Sequence, residues 1–101
     1  MSKRNGKLHN RNALITGGSR GIGKAIAQRF ISEGANVFIC ARGESDLSDT
    51  EKELRKLGGN VDTYAADVSD RNAVDLMIAG ALKAFGYIDI LVNNAGIMKP
   101  G

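Results

Sequence analysis

Short apolar runs alternate with longer amphipathic stretches along most of this 101-residue chain. Four apolar runs have the length and composition of β-strands, and they occupy residues 13–16, 37–40, 61–66 and 90–92. Between them lie three stretches with helical spacing of apolar residues, which we predict to be helices over about 21–33, 44–57 and 70–85. Strands that alternate with helices predict an α/β fold whose parallel sheet is covered by helices on both faces.

Turn residues mark the ends of the predicted helices. Gly34 and Gly86 follow the first and third helices at the position that glycine favours after a helix, and two glycines follow the second. Ser69 is predicted to cap the start of the third helix. The spacing predicts these inward-facing residues: Ile22, Ile26 and Phe30 in the first helix, Leu47, Leu54 and Leu57 in the second, and Val74, Met77, Ile78, Ala81, Leu82 and Phe85 in the third.

The order of the strands in the sheet follows from the handedness of their connections. Right-handed crossovers favour the order 3-2-1-4, which is part of a three-layer, doubly wound sheet of the Rossmann type. In such a sheet the order reverses between the first and fourth strands, and ligands bind there, beyond the carboxyl ends of the strands. Two unusual stretches, residues 16–23 and 93–96, are predicted to lie at that reversal.

Charge and composition exclude several classes of function. The net charge of +3 comes from four bases in the first twelve residues, because the rest of the chain has ten bases and eleven acids, a net charge of −1. We therefore predict a solvated basic leader over residues 1–11, one domain over 12–101, and no nucleic-acid partner. With no apolar run near the roughly 20 residues of a membrane span, no signal stretch and the single cysteine Cys40, we expect a cytoplasmic protein without a membrane or metal partner.

The stretch between the first strand and the first helix has the spacing Thr16-Gly17-x-x-x-Gly21-x-Gly23. Gly17 allows a tight turn off the strand, Gly21 lets a pyrophosphate approach the backbone, and Gly23 lets the helix pack closely on the sheet. The free N–H groups and the dipole at the start of the helix would face the phosphates. In this strand–turn–helix setting the glycines predict a dinucleotide site.

A rival interpretation is the phosphate loop of an NTPase, because Gly18 to Lys24 also fits G-x-x-x-x-G-K. That motif needs Ser or Thr next to ligate magnesium, whereas this chain has Ala25. The fourth strand also ends in Asn93 rather than in an aspartate. We therefore place the NTPase last among the alternatives and expect Lys24 on the solvent face of the helix.

The end of the second strand bears on which dinucleotide binds. Proteins that bind NAD place an acid about 20 residues past the glycine turn to hold the ribose 2′-hydroxyl. Here the strand ends in Cys40-Ala41-Arg42, without an acid. Arg42, with Arg20 from the turn, could instead pair with a 2′-phosphate, although both could also be plain surface residues. The sequence therefore favours NADP(H) over NAD(H).

At these residues the chain resembles the short-chain dehydrogenase/reductase family, in its compact reductase branch. The resemblance runs from about residue 8 to the end of the sequence. Three motifs carry it: Thr16-Gly17-Gly18-Ser19-Arg20-Gly21-Ile22-Gly23, Asp67-Val68 and Asn93-Asn94-Ala95-Gly96. It implies a Rossmann-fold oxidoreductase that moves a hydride between NADP(H) and a carbonyl or alcohol substrate.

The resemblance also implies a role for each motif. Asp67 and Val68 would border the adenine ring, the nicotinamide would lie near Asn93 and Ala95, and Asn93 would tie the central strands together. The predicted cofactor-binding residues are Thr16, Gly17, Ser19, Arg20, Gly21, Ile22, Gly23, Arg42, Asp67, Val68, Asn93, Ala95 and Gly96.

The chain departs from the family pattern in its chemistry. The family uses a tyrosine as acid/base, a lysine four residues later and a serine, all in the second half of its chains. Here Val68 and Leu91 stand four residues after Tyr64 and Tyr87, so no catalytic residue is predicted and the chain alone should be inactive. It could instead be a non-catalytic nucleotide-binding module or a truncated remnant. Its fourth strand, at an open edge, predicts marginal stability or self-association.

Overall fold

The computed structural model describes residues 6–17, 21–67 and 70–93, which form four strands and three helices. In chain order these are β1 (Asn12–Thr16), α1 (Gly21–Ser32), β2 (Asn36–Ala41), α2 (Glu44–Lys56), β3 (Val61–Ala65), α3 (Arg71–Phe85) and β4 (Ile90–Asn93). Every predicted element is present, with its ends within one residue of the predicted ones.

The four strands form one parallel sheet in the order β3-β2-β1-β4, as the sequence predicts. β1 is central, and its register places Leu14 beside Phe38 of β2 and Leu91 of β4. At the carboxyl end of the sheet, Thr16 lies beside Cys40 and Asn93. The reversal of strand order therefore falls directly after Thr16.

The sheet separates two apolar clusters, which makes the fold three-layered. Ile15, Val37 and Ile39 of the sheet pack with residues of α1 and α2 on one face. Leu14, Phe38 and Cys40 pack with Met77 and Ala81 of α3 on the other face. Because β1 and β2 are buried on both faces, they read as continuous apolar runs rather than as alternating strands.

The buried side of α1 differs from the predicted one by one position. Ile22 is 71% exposed, and Ile26 and Phe30 are only half-buried. The residues that face the sheet are instead Gly23, Ala27 and Ile31, which are spaced four apart. A glycine and an alanine there let the helix axis approach the sheet. Two small residues therefore face the sheet, where a pattern based on large apolar side chains predicts Ile22 and Ile26.

The predicted inward residues of α2 and α3 are correct in part. In α2, Leu47 and Leu54 are buried, but Leu57 is the C-cap and is 37% exposed. In α3, Met77 and Ala81 are buried and Val74 and Phe85 pack against them, whereas Ile78 and Leu82 are exposed. The apolar side of α3 is wider than the part that reaches the sheet.

The start of α3 is capped by Asp70, not by the predicted Ser69. The backbone of Asp70 is extended, and its carboxylate accepts a hydrogen bond of 3.0 Å from the N–H of Asn72. Ser69 lies outside the described residues. Asp70 can do this because a carboxylate reaches the N–H two residues ahead as a hydroxyl does. At the far end Gly86 has φ 89°, as its predicted place after the helix requires.

Residues 6–11 are docked on the domain, which differs from the predicted solvated leader. The N–H of Leu8 donates to the carbonyl of Glu33 at 2.8 Å, and the N–H of Lys7 donates to the Glu33 carboxylate at 3.1 Å. Leu8 also packs against the cluster under α1 and α2. Gly6 is so close that a Cβ there would lie 2.2 Å from the Glu33 carbonyl oxygen. The division into 1–11 and 12–101 remains a prediction.

Candidate functional site

A side-chain hydrogen bond joins β1 and β4 at the point where the strand order reverses. The hydroxyl of Thr16, which is 4% exposed, donates to the side-chain oxygen of Asn93 at 3.2 Å. It also lies 3.4 Å from the carbonyl oxygen of Val92. This contact links β1 to its neighbour β4. The resemblance expects Asn93 to tie strands together beside the cofactor, and that role stays a prediction.

The glycine turn leaves β1 in a conformation that glycine favours. Gly17 has φ 69°, and its N–H donates to the carbonyl of Cys40 at 2.7 Å, which ties the turn to the end of β2. Gly21 opens α1 with φ 54°, and among the described residues a Cβ at that position would meet no atom within 4 Å. Gly23 is buried against the sheet. These three positions fit the predicted turn, open backbone and close packing.

The start of α1 is suited to an anion. Its first turn, described in full, holds no acidic residue, and Ile22 leaves its side chain exposed. Free N–H groups and the positive end of the helix dipole lie at such a terminus. Open space at Gly21 would let phosphate oxygens reach them.

The neighbouring strand ends carry two further predicted residues. Arg42 directly follows β2 and is exposed, and Asp67 lies two residues past the end of β3 and is exposed. The N–H of Ala66 donates to the carbonyl of Ala41 at 2.9 Å, which keeps these two strand ends together. The carboxyl edge of the sheet therefore carries Thr16, Gly17, Arg42, Asp67 and Asn93 on four adjacent strands. The other predicted site residues, Ser19, Arg20, Val68, Ala95 and Gly96, lie outside the described residues.

The sequence predicts that Lys24 lies on the solvent face of α1. In the structure its side chain is instead engaged with a neighbouring helix. It forms an ion pair with Glu53 of α2, and its side chain is 29% exposed. A lysine already paired with a carboxylate on a neighbouring helix is poorly placed to serve a nucleotide phosphate. The structure therefore gives the NTPase interpretation no added support.

Cys40 is a buried thiol beneath the site. Burial raises the pKa of Cys40 to about 11, against a smaller lowering by a backbone hydrogen bond at Ala66. The Cys40 sulfur lies 3.8 Å from the Ala66 carbonyl oxygen. The folded protein therefore favours the neutral thiol. This contribution to stability is complete below the pKa of the unfolded thiol and is lost as the pH rises through about 11.

We expect Cys40 to react very slowly with iodoacetamide at pH 8 in the folded protein. At a pKa of about 11, only about one thiol in a thousand is ionised at that pH, and the sulfur is buried. The measurement is the rate of mass increase by mass spectrometry, with the protein in guanidinium chloride as the control. Equal rates in both solvents would contradict the burial of this thiol.

The described ranges 6–17, 21–67 and 70–93 lack two features, a metal-binding cluster and a membrane-spanning helix. These residues contain no group of three or more histidine, cysteine or acidic side chains that could hold a metal ion. Within the same part of the chain, no helix has the length and hydropathy needed to cross a bilayer.

Comparison with known proteins decides the family. The sequence model described as short chain dehydrogenase matches residues 11–101, which is most of the chain. The chain belongs to this family. The short-chain dehydrogenase resemblance, based on three motifs, is therefore confirmed, and so is the Rossmann-type sheet.

Curated relatives of this short-chain dehydrogenase chain include two bacterial proteins. The putative ketoacyl reductase 1 of the granaticin polyketide synthase from Streptomyces violaceoruber is 49% identical over 84 residues, which are 83% of this chain and 31% of the relative. The 3beta-hydroxysteroid dehydrogenase 2 of Eggerthella lenta is 42% identical over 97 residues, which are 96% of this chain and 37% of the relative. The chain thus spans about a third of the length of these relatives.

Solved structures of family members contain either dinucleotide. A variant of actinorhodin polyketide ketoreductase crystallised with NADPH has a TM-score of 0.84 and 43% identity, over 91% of this chain and 34% of that one. A short-chain dehydrogenase/reductase from Burkholderia phymatum in complex with NAD has a TM-score of 0.81 and 32% identity, over 84% of this chain and 30% of that one.

Proposed function

We propose that the chain is the cofactor-binding portion of an NAD(P)(H)-dependent short-chain reductase. The observation that carries the proposal is the glycine turn at the reversal of strand order, where Gly17 is tied to β2 and Gly21 opens α1 into free space. This is the place where doubly wound sheets bind dinucleotides. The reaction would be hydride transfer between the cofactor and a carbonyl or alcohol substrate.

The residues at this edge fit such a cofactor. The N–H groups at the start of α1 would bind the pyrophosphate, and Gly21 itself presents no side chain to the approaching phosphates. Asp67, with Val68, would border the adenine. The Thr16–Asn93 pair would fix the strand ends beside the nicotinamide, with Ala95 and Gly96 beyond it. When bound, the nicotinamide ring supplies or accepts the hydride.

The cofactor we propose is NADP(H) in preference to NAD(H). Arg42 stands exposed at the end of β2, where NAD-binding proteins carry an acid, and Arg20 of the turn would reach the same group. Glu44 and Asp46 in the first turn of α2 add negative charge nearby. The preference for NADP(H) therefore depends on direct hydrogen bonds from arginine to a 2′-phosphate rather than on the electrostatic potential of the surrounding surface.

We do not expect these 101 residues to catalyse hydride transfer by themselves. Tyr64 lies in β3 and Tyr87 follows α3 at the opposite end of the sheet from the glycine turn, and neither is followed by lysine at the fourth position. We propose that the acid/base and the substrate contacts belong to a C-terminal portion like that of the longer relatives. In that whole protein a small carbonyl or alcohol would be the substrate, in the cytoplasm.

A non-catalytic nucleotide-binding module is the second candidate, and it predicts the same cofactor binding. Both candidate functions are compatible with self-association of the chain, which we propose occurs through β4. Within the described residues β4 pairs with β1 alone, and Leu91 of β4 is 64% exposed. An outer strand of this kind can pair with another chain.

Two glycines provide a matched test of the proposed site. Gly21 and Gly86 both have positive φ, and a Cβ at either one would meet nothing within 4 Å. Alanine at either position should therefore cost backbone strain of about 1–3 kcal/mol. Gly21 begins α1 at the site, whereas Gly86 follows α3 at the opposite end of the sheet.

We expect the Gly21→Ala variant to bind NADPH at least about tenfold more weakly than wild type, since a methyl group meets the pyrophosphate path. The Gly86→Ala variant should bind normally. Titration calorimetry with NADPH, NADH and ATP, with and without magnesium, measures both effects. ATP binding that requires magnesium, without dinucleotide binding, would overturn the proposal and revive the NTPase.

A further inference from the structure

Three asparagines form a hydrogen-bonded ladder across the amino end of the sheet. The side-chain amide of Asn60, just before β3, donates to the side-chain oxygen of Asn36 at 3.0 Å. The amide of Asn36, at the start of β2, donates in turn to the side-chain oxygen of Asn12 at 2.8 Å. Asn12 begins β1 and is 4% exposed. The ladder therefore joins three adjacent strands at the edge opposite the glycine turn.

Asn12 also holds the connection that leads into β4. Its side-chain amide donates to the carbonyl of Tyr87 at 3.0 Å, and its backbone N–H donates to the Asp89 carboxylate at 2.8 Å. The N–H of Asp89 donates back to the carbonyl of Asn12 at 2.8 Å. One buried residue thus contacts β2 on one side and the segment that leads into β4 on the other.

The apolar pattern of these strands does not by itself fix their register. All of β1 is buried, as is β2 from Val37 to Ala41, so a slip by one residue would exchange one apolar side chain for another. Alternation of apolar and polar residues specifies a register, and β1 and β2 lack it because both of their faces are buried. A slip would, however, separate Asn12 from Asn36 and leave the buried side-chain oxygen of Asn12 without this partner.

We propose that Asn12 and Asn36 set the register of β2 and β4 on β1 and are positioning residues for the cofactor site. Register determines where Arg42 and Asn93 stand relative to Gly17, because one step along a strand is about 3.3 Å. Each amide left unpaired in a slipped state should lower the population of that state by about 5- to 150-fold. The consequence for the cofactor rests on the proposed function, but the register itself does not.

The test removes both partners at once. In a chain carrying Asn12→Leu and Asn36→Leu, apolar groups of similar shape replace the pair, so folding should be kept while the preference for one register is lost. Cross-strand NOEs in labelled protein report the register directly, since the native one places Leu14 beside Phe38 and Leu91. The control is Met77→Leu, a buried change on α3 in an apolar cluster that contains none of the three asparagines.

We expect the double variant to show a second set of cross-strand NOEs, with a native fraction f below about one third. Its Kd for NADPH should then rise by the factor 1/f, at least about threefold, because only the native register binds. The control should keep one register and the wild-type Kd. A single native register in the double variant would overturn the proposal.

Two further outcomes are decided by the same spectra. If the double variant does not fold, the spectra of the Asn36→Val variant are used instead, because this change breaks both contacts of the ladder. An unchanged single register there also overturns the proposal. If wild type fails to bind NADPH, the proposed function fails, while the NOEs still decide the register.

Discussion

Replacing Arg42 by alanine is expected to raise the Kd for NADPH by about 10- to 150-fold and to leave the Kd for NADH nearly unchanged. A charge-assisted hydrogen bond contributes about 1.5–3 kcal/mol, and only NADPH carries the 2′-phosphate that would accept it. Arg42 is exposed at the end of β2, so its removal should not disturb the core. Calorimetric titration of both cofactors at fixed salt measures the selectivity.

Lys56 provides the control for this experiment. It lies in the last turn of α2, so Lys56→Ala removes the same charge about 18 Å farther along the helix. That distance exceeds the screening length of about 8 Å at physiological ionic strength, and the affinity for NADPH should stay at the wild-type value. An equal rise in the Kd for NADPH and for NADH in the Arg42 variant would show that Arg42 does not bind the 2′-phosphate.

A second large effect is expected in the core under α2. Leu54→Ala should lower the free energy of unfolding by about 2–5 kcal/mol, because Leu54 is 0% exposed and its removal leaves a cavity. For a domain whose total stability is about 5–15 kcal/mol, that loss moves the urea midpoint far downward. Chemical unfolding followed by circular dichroism measures the change.

Leu57→Ala is the matched comparison, three residues later on the same chain segment. Leu57 is the C-cap of α2 and 37% exposed, so we expect a loss below about 1 kcal/mol. The same side chain is removed in both variants, and only the burial differs. Equal losses at the two positions would mean that α2 is rotated from the orientation described.

These two leucines show how far the sequence predicts the fold. The spacing of apolar residues predicts the helix and places Leu54 inside, but it places Leu57 inside as well. Periodicity cannot tell where a helix stops facing the sheet, since that depends on where the chain turns toward β3. The same limit explains Ile22 of α1, which has the spacing of a core residue but is 71% exposed, whereas Gly23, predicted to pack closely on the sheet, is buried.

The candidate site was more predictable than the helix faces. Glycines at fixed spacing have few uses, and strand order places their turn beside Asn93, so the Thr16–Asn93 contact follows from topology. The asparagine ladder was missed, although a signal was present. Asn12, Asn36 and Asn60 each directly precede a predicted strand, so an in-register parallel sheet brings them side by side. Their partners lie 24 residues apart and are invisible to local patterns.

The central place of β1 also determines when the site can be completed during synthesis. β2 meets β1 after a short excursion of the chain, and β3 then adds to β2, whereas Ala13 must wait for Ile90 before β4 can pair with it. Closing a long loop is slower than closing a short one, so a three-stranded unit can form early on the ribosome. The nascent chain would acquire the glycine turn well before the strand that carries Asn93. A nucleotide present during translation would thus encounter a binding site that has the glycine turn but still lacks Asn93.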